Sequence, residues 1–122
     1  MEVTPNIKNL VKKFVRHCVV ELGLSGPVHI TLSLQPQGNM PTAGHFDPVT
    51  KSVVVSIKNR AIADCLRTIA HELTHLKQLQ QGVEFPEDDE HLQPYEDEAN
   101  VMSGRLVRFF GRENREIYSD LR

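Results

Sequence analysis

The sequence predicts an α+β domain that is rich in helix and carries a small, mostly antiparallel sheet. Three segments place apolar residues at helical spacing, and a stretch between the first and the second alternates apolar with polar residues. A chain of 122 residues, 39% hydrophobic and 25% charged, suits one domain (1–122) with a single core. Only two cysteines occur, Cys18 and Cys65, which indicates small apolar core residues of a reduced protein instead of a disulfide framework.

The charge and the apolar runs exclude several classes of partner. A formal net charge of -2 gives no electrostatic footprint for nucleic acid or for an anionic membrane surface. No run approaches the roughly 20 apolar residues of a membrane span, and the N-terminus has no basic start followed by an apolar stretch. We therefore expect a cytoplasmic protein.

The first helix is predicted from about residue 5 to residue 22. Thr4 can cap it, Pro5 suits its first turn, and Gly23 suits its end. Its apolar residues follow helical spacing, so the helix is amphipathic. His17 has no other ligand-type residue one turn away and is expected at the surface or at the boundary of the core.

Three strands are predicted next, at 28–34, 43–46 and 53–57. Period-two alternation marks the first, and the turn residues 47–51 join the other two into a hairpin. Residues 35–41 are rich in turn formers and predict a loop. The hairpin is a candidate sheet edge for an extended peptide substrate, or it merely completes a small sheet that covers the helices. His45 within it could face the cleft, but a surface residue that flanks the turn is the favoured interpretation.

The second helix, from about residue 61 to Gly82, carries the motif His71-Glu72-Leu73-Thr74-His75. Histidines four residues apart lie one turn apart on the same face, so both imidazoles can reach one metal ion. Catalytic zinc takes three protein ligands and keeps one position for water, whose proton a neighbouring carboxylate can accept. The pattern H-E-x-x-H therefore predicts zinc bound by His71 and His75, with Glu72 as the general base.

The helical wheel separates this motif from the core. At about 100° per residue the two histidines fall on one side, alongside Asp64 and Gln78. The opposite side is apolar and predicts the buried stripe Ile62, Leu66, Ile69, Leu73 and Leu76. The histidines are thus expected on a cleft wall or in plain solvent.

A third helix, predicted from about residue 95 to residue 110 after Pro94, is the place to look for a third ligand. Glu96 and Glu98 lie about 200° apart on a helix and cannot both face one metal. Glu96 lies nearer the centre of the packed side, so periodicity favours Glu96 by a small margin.

These two segments resemble a known family. His71 to His75, followed by Glu96-x-x-Ala99-Asn100, is similar to the gluzincin branch of zincin-like metallopeptidases, including the ImmA/IrrE-type peptidases and the minigluzincins. The resemblance covers about the middle half of the chain. It implies a zincin-like fold, with His71, His75 and Glu96 as metal ligands, Glu72 as general base, and Asn100 as the partner that orients His71.

The resemblance leaves the oxyanion-stabilising residue open. Tyr95, Tyr118 and His91 are candidates, and we expect Tyr95 to be the catalytic residue beside Glu72. The tail 111–122 is expected to form a short terminal helix or turn; a regulatory hypothesis, in which it folds over the cleft with Tyr118 or Asp120 near the zinc, follows from the minigluzincins.

The sequence thus predicts a zinc metallopeptidase that hydrolyses peptide bonds of a peptide or protein substrate. The alternative is a zinc-containing interaction module that is catalytically inactive or latent. A fourth protein ligand, His45 or His91, would favour the alternative, because structural zinc sites are usually closed by four ligands.

Overall fold

The computed structural model describes residues 4–33, 44–47, 49, 52–58 and 60–118. Three helices and a three-stranded sheet confirm the α+β class. In chain order the elements are α1 (Pro5–Leu22), β1 (His29–Ser33), β2 (Gly44–Asp47), β3 (Ser52–Ser56), α2 (Ile62–Gln80), α3 (Asp89–Glu113) and a short 3-10 helix (Arg115–Tyr118).

Helix α1 begins and ends where its capping residues predict. The Thr4 side chain accepts a hydrogen bond from the Ile7 amide at 3.2 Å, and Pro5 occupies the first turn. Gly23 adopts a left-handed conformation with φ of 66°, and its amide bonds the carbonyls of the last turn. The apolar face of α1 packs into the core through buried residues that include Phe14 and Cys18.

The sheet has the strand order β1-β3-β2 and is mixed, with one parallel and one antiparallel pair, so the prediction of a mostly antiparallel sheet is wrong. Strand β3 is central; it pairs in parallel with β1 and antiparallel with β2. The predicted hairpin pairing of β2 with β3 is confirmed, whereas Leu34, Ala43 and the loop 35–41 lie outside the described residues. Val53 and Val55 point from β3 into the core and are fully buried.

Helix α2 passes through the middle of the molecule. Its predicted apolar stripe is confirmed, because all five residues are buried, with Leu66, Ile69 and Leu73 showing no exposed surface. Cys65 and Ala70 broaden the buried face. The histidine side of the helix therefore faces the opposite way and is open to a cleft.

Helix α3 is longer than the sequence predicted, because it begins at Asp89 and not after Pro94. Pro94 lies inside the helix at an exposed position, where the missing amide costs one backbone bond near the N-terminal end. Asp89 and Glu90 in the first turn interact favourably with the helix dipole. The early start makes the segment before Glu96 a rigid part of the site.

The tail packs on the far end of α3. Residues 111–113 continue that helix, Ile117 is buried, and the Tyr118 ring lies against Gly111, where an added Cβ would come within 2.5 Å of it. Gly111 follows Glu96 by 15 residues, a rise of about 22 Å along a helix. The hypothesis that Tyr118 lies near the metal site is therefore wrong, and Asp120 lies outside the described residues.

Both cysteines are free and buried, as the sequence predicted. Burial raises the pKa of the Cys18 thiol and that of the Cys65 thiol, so both stay protonated near neutral pH. Among the described helices, none has the length and apolar character needed to cross a membrane.

Candidate metal site

Three ligand atoms from two helices converge on one point. His71 Nε2 lies 3.1 Å from His75 Nε2, and the two Glu96 carboxylate oxygens lie 3.2 Å from His71 Nε2 and 3.0 Å from His75 Nε2. The histidines come from α2 at the predicted one-turn spacing, and the carboxylate comes from α3. Within the described ranges this is the group of side chains that could hold a metal ion.

Gln78 fixes the tautomer of His75. The Gln78 side chain is buried, and its Nε2 donates to Glu98 Oε1 at 2.8 Å and to the Tyr95 carbonyl at 3.1 Å. These two bonds orient the amide, so its Oε1 faces His75 Nδ1, 2.8 Å away, and accepts a hydrogen bond from the Nδ1–H. In the neutral imidazole this hydrogen bond leaves Nε2 without a proton, and the Nε2 lone pair faces the convergence.

The surroundings of His71 also favour a neutral imidazole. Burial lowers the pKa of His71, and the neighbouring His75 lowers it further, so the imidazole is neutral near pH 7. Glu96 and a side-chain hydrogen bond with Asn100 act in the opposite direction, raising the pKa. Asn100 therefore contacts His71, as the resemblance implied for a residue that orients a metal-binding imidazole.

The geometry and the chemistry fit a cation. Two imidazole lone pairs and a carboxylate within 3.0–3.2 Å of one another repel unless positive charge lies between them. Ligands about 2.0–2.1 Å from a tetrahedral ion are about 3.3 Å apart, close to the observed separations. The three residues could thus hold a metal ion without rearrangement of either helix.

Glu72 lies beside this group and is not part of it. Desolvation by burial raises the pKa of Glu72 to about 7; nearby His75 lowers it and Glu96 raises it. A carboxyl with a pKa near neutrality can both accept and return a proton, which is the property of an efficient general base. Glu72 lies in the lining of the same cleft as the two histidines, and its role as general base stays a prediction.

The group opens into a cleft of about 680 Å³ between α2, α3 and β2. Strand β2 forms one wall, and it approaches α2 so closely that a Cβ on Gly44 would lie 2.6 Å from the Thr68 methyl carbon. An apolar pocket of about 240 Å³ adjoins the group on its other side. The cleft is lined by Gly44, His45, Phe46, Arg67, Thr68, His71, Glu72, His75, Glu96, Asn100 and Ser103.

Two of the proposed oxyanion donors lie elsewhere. Tyr95 packs its ring edge-on against Phe85, with centroids 5.8 Å apart, and is outside the described lining of the cleft. Its catalytic role stays a prediction. His91 has a side chain that is 73% exposed and pairs with Asp88, so it does not approach the ligand group.

His45 is an exposed residue that nevertheless lines the cleft. Neither His45 nor His91 belongs to the ligand group in the described part of the chain, which leaves three protein ligands there. By the criterion stated above, three ligands favour an open site over a closed structural one.

Two residues that contribute to the site, Gln78 and Arg67, were assigned no role in it from the sequence. Gln78 follows His75 by three residues, a spacing at which side chains on a helix meet, and this spacing was the available signal. Arg67 precedes His71 by one turn and presents an exposed guanidinium to the cleft, near Gly104 of α3. No ion pair or hydrogen bond to Arg67 occurs within the described ranges.

Comparisons of the chain with protein-family models, with curated protein sequences and with solved structures found no match.

Proposed function

We propose that this protein is a zinc-dependent metallopeptidase of the zincin-like, gluzincin type. The observation that carries the proposal is the convergence of three metal-ligand side chains, His71, His75 and Glu96. Beside them lies the carboxyl group of Glu72, whose pKa is raised to about 7. Two further observations support it: the two motifs resemble those of the gluzincins, and the edge strand β2 lines the cleft.

Zinc is the metal that this donor set favours. Two imidazoles and one carboxylate form the His₂Glu arrangement of catalytic zinc sites, which have three protein ligands and an open position. Bound there, zinc would polarise a peptide carbonyl and lower the pKa of a water molecule. Gln78 and Asn100 would hold the two imidazoles in the required orientation.

The chain's own groups then have separate tasks. Glu72 accepts a proton from the attacking water and returns it to the amine that leaves when the peptide bond breaks. Strand β2 is an edge of the described sheet and forms a wall of the cleft, so an extended peptide can pair with its backbone. His45 and Arg67 are the donors in the lining, beyond the ligand group, that can carry positive charge toward a substrate oxygen.

The proposal is tested by metal content and peptide cleavage together. Purified protein is expected to hold about one zinc per chain, Glu72→Gln to retain it, and Glu96→Gln to lose affinity. Asp97→Asn, which changes an exposed neighbour of Glu96, is the matched control and should retain zinc.

Activity is assayed on a mixture of proteome-derived peptides, with new termini read by mass spectrometry. Wild-type protein should produce cleavages that Glu72→Gln reduces by about 10²- to 10⁴-fold, whereas Glu84→Gln, an exposed glutamate outside the cleft, leaves them unchanged. If the wild-type protein retains zinc but cleaves no more than Glu72→Gln does, the peptidase proposal is wrong and the inactive or latent zinc module is favoured. If the protein takes up no zinc, both the peptidase and the zinc-module hypotheses are wrong.

A further inference from the structure

A second concave surface lies at the opposite edge of the sheet from the metal site. A groove of about 890 Å³ separates α1 from β1, and we call it the α1–β1 groove. Strand β2, which lines the metal cleft, is separated from β1 by β3. The groove is lined by Lys8, Val11, Lys12, Val15, Arg16, Val28, His29, Ile30, Thr31 and Leu32.

The floor of the groove is an apolar layer that is only partly covered. Ile30 and Leu32 pair in register with Val53 and Val55, so all four side chains lie on the core face of the sheet. The two valines are fully buried, but Ile30 and Leu32 are only half-buried. Val15 on α1 is also half-buried. One more element on this side would complete the layer.

The backbone of β1 offers a place for that element. Ser33 uses its carbonyl to accept a hydrogen bond from the Ile57 amide at 3.0 Å, which points the polar groups of Ser33 toward β3. Because successive residues of a strand alternate, Thr31 also faces β3, whereas Ile30 and Leu32 face away from it. No described residue bonds the outward amides and carbonyls of Ile30 and Leu32, and these groups form a free sheet edge.

The charges along the groove have one sign. Lys8, Lys12 and Arg16 recur every four residues, so their side chains run along one side of α1 at one-turn intervals. All three are exposed, and none has an ion pair with a described residue. The lining given above includes no carboxylate. A ligand would therefore gain from negative charge as well as from aliphatic side chains.

We propose that the α1–β1 groove binds an extended segment of a partner protein, in which aliphatic residues are flanked by acidic ones on the same face of the strand. The segment adds as a strand to the outer edge of β1, exchanging backbone hydrogen bonds with Ile30 and Leu32. On the face toward α1, its aliphatic side chains cover the half-buried floor and its flanking carboxylates meet the cations of α1. This surface is separate from the metal cleft, so the proposal does not depend on the proposed peptidase activity.

Binding is measured by fluorescence anisotropy with a labelled pool of capped heptapeptides that carry Val, Ile or Leu at positions 3 and 5, Glu or Asp at positions 1 and 7, which share one face, and Thr at the others. The pool should bind wild-type protein at least tenfold more tightly than a pool with Gln and Asn in place of the acids. The variant Lys8→Glu/Lys12→Glu should weaken binding at least tenfold. Lys58→Glu, an exposed lysine outside the groove, is the charge control and should bind as wild type does.

Amide hydrogen exchange followed by NMR locates the contact. On binding, the amides of Ile30 and Leu32 should become protected, while that of Thr31, which faces β3, should change little. Three results would each overturn the proposal: no preference for the acidic pool, equal loss of binding in Lys58→Glu, or binding without new protection at Ile30 and Leu32. Thermal unfolding of each variant confirms that these exposed substitutions leave the fold intact.

Discussion

Replacing Gln78 by Leu tests whether the metal site depends on a residue that touches no metal. Gln78 is 1% exposed and links three partners: it accepts a hydrogen bond from His75 Nδ1 and donates to Glu98 and to the Tyr95 carbonyl. Leucine has a similar volume but neither donor nor acceptor. The imidazole of His75 would then be free to turn or to place its proton on Nε2.

The structure sets the size of the effect. Loss of a hydrogen bond that orients a metal-binding imidazole typically lowers metal affinity by about 10- to 100-fold, which corresponds to about 1.4–2.7 kcal/mol. The same substitution removes three hydrogen bonds from a buried side chain, each with a net value of about 1 kcal/mol. The leucine side chain offsets part of this loss by apolar burial, so we expect the metal-free variant to lose about 1–3 kcal/mol of unfolding free energy.

Zinc affinity is measured by competition with a chromophoric chelator, and unfolding by urea titration with the metal removed. Gln80→Leu is the control, because Gln80 lies on the same helix but is exposed and bonds Ser25 instead of the site. If Gln78→Leu binds zinc with an affinity within twofold of the wild-type value, the inference that Gln78 sets the His75 tautomer is refuted.

Three further predictions concern the free energy of unfolding of the metal-free protein, measured by urea titration. The pKa of Glu72 is raised from 4.5 to about 7 in the folded chain, so its contribution to stability is present below pH 4.5 and is lost as pH rises through 7. Glu72→Gln should therefore be more stable than wild type by up to about 3 kcal/mol at pH 8, and an equal difference at pH 4 would contradict this. Gly44→Ala places a Cβ 2.6 Å from the Thr68 methyl carbon and should cost about 1–3 kcal/mol; the loss should shrink in a Thr68→Ser background, which lacks that methyl. Leu73→Ala removes a fully buried side chain and should cost about 2–5 kcal/mol, against less than about 1 kcal/mol for the half-exposed Leu79→Ala.

Local spacing was sufficient to predict the part of the site that lies on one helix. His71 and His75 are one turn apart by the geometry of any α-helix, and the apolar stripe of α2 predicted which way they face. The preference for Glu96 over Glu98 depended on a small difference in angle. The structure places Glu96 at the ligand group, while Glu98 accepts a hydrogen bond from Gln78.

Features that depend on two distant segments could not be predicted in this way. Gln78 matters because Glu98 and the Tyr95 carbonyl, on another helix, orient its amide. The parallel pairing of β1 with β3 joins strands that are not adjacent in sequence, and only the antiparallel pair carried a turn signal. The early start of α3 was missed because Pro94 was read as a boundary, although a proline at an exposed position near a helix start can be accommodated.

The two faces of α2 predict how the fold would respond if an ion bound by His71, His75 and Glu96 were removed. The inner face is held by the core, where Leu66, Ile69 and Leu73 are fully buried, and these contacts do not involve the histidines. In small zinc-dependent domains the ion supplies the folding free energy, and chelators denature them. If the proposed function is right, a chelator should stop peptide cleavage here and leave the circular dichroism spectrum nearly unchanged, so the apoprotein would stay folded and regain activity when zinc is supplied.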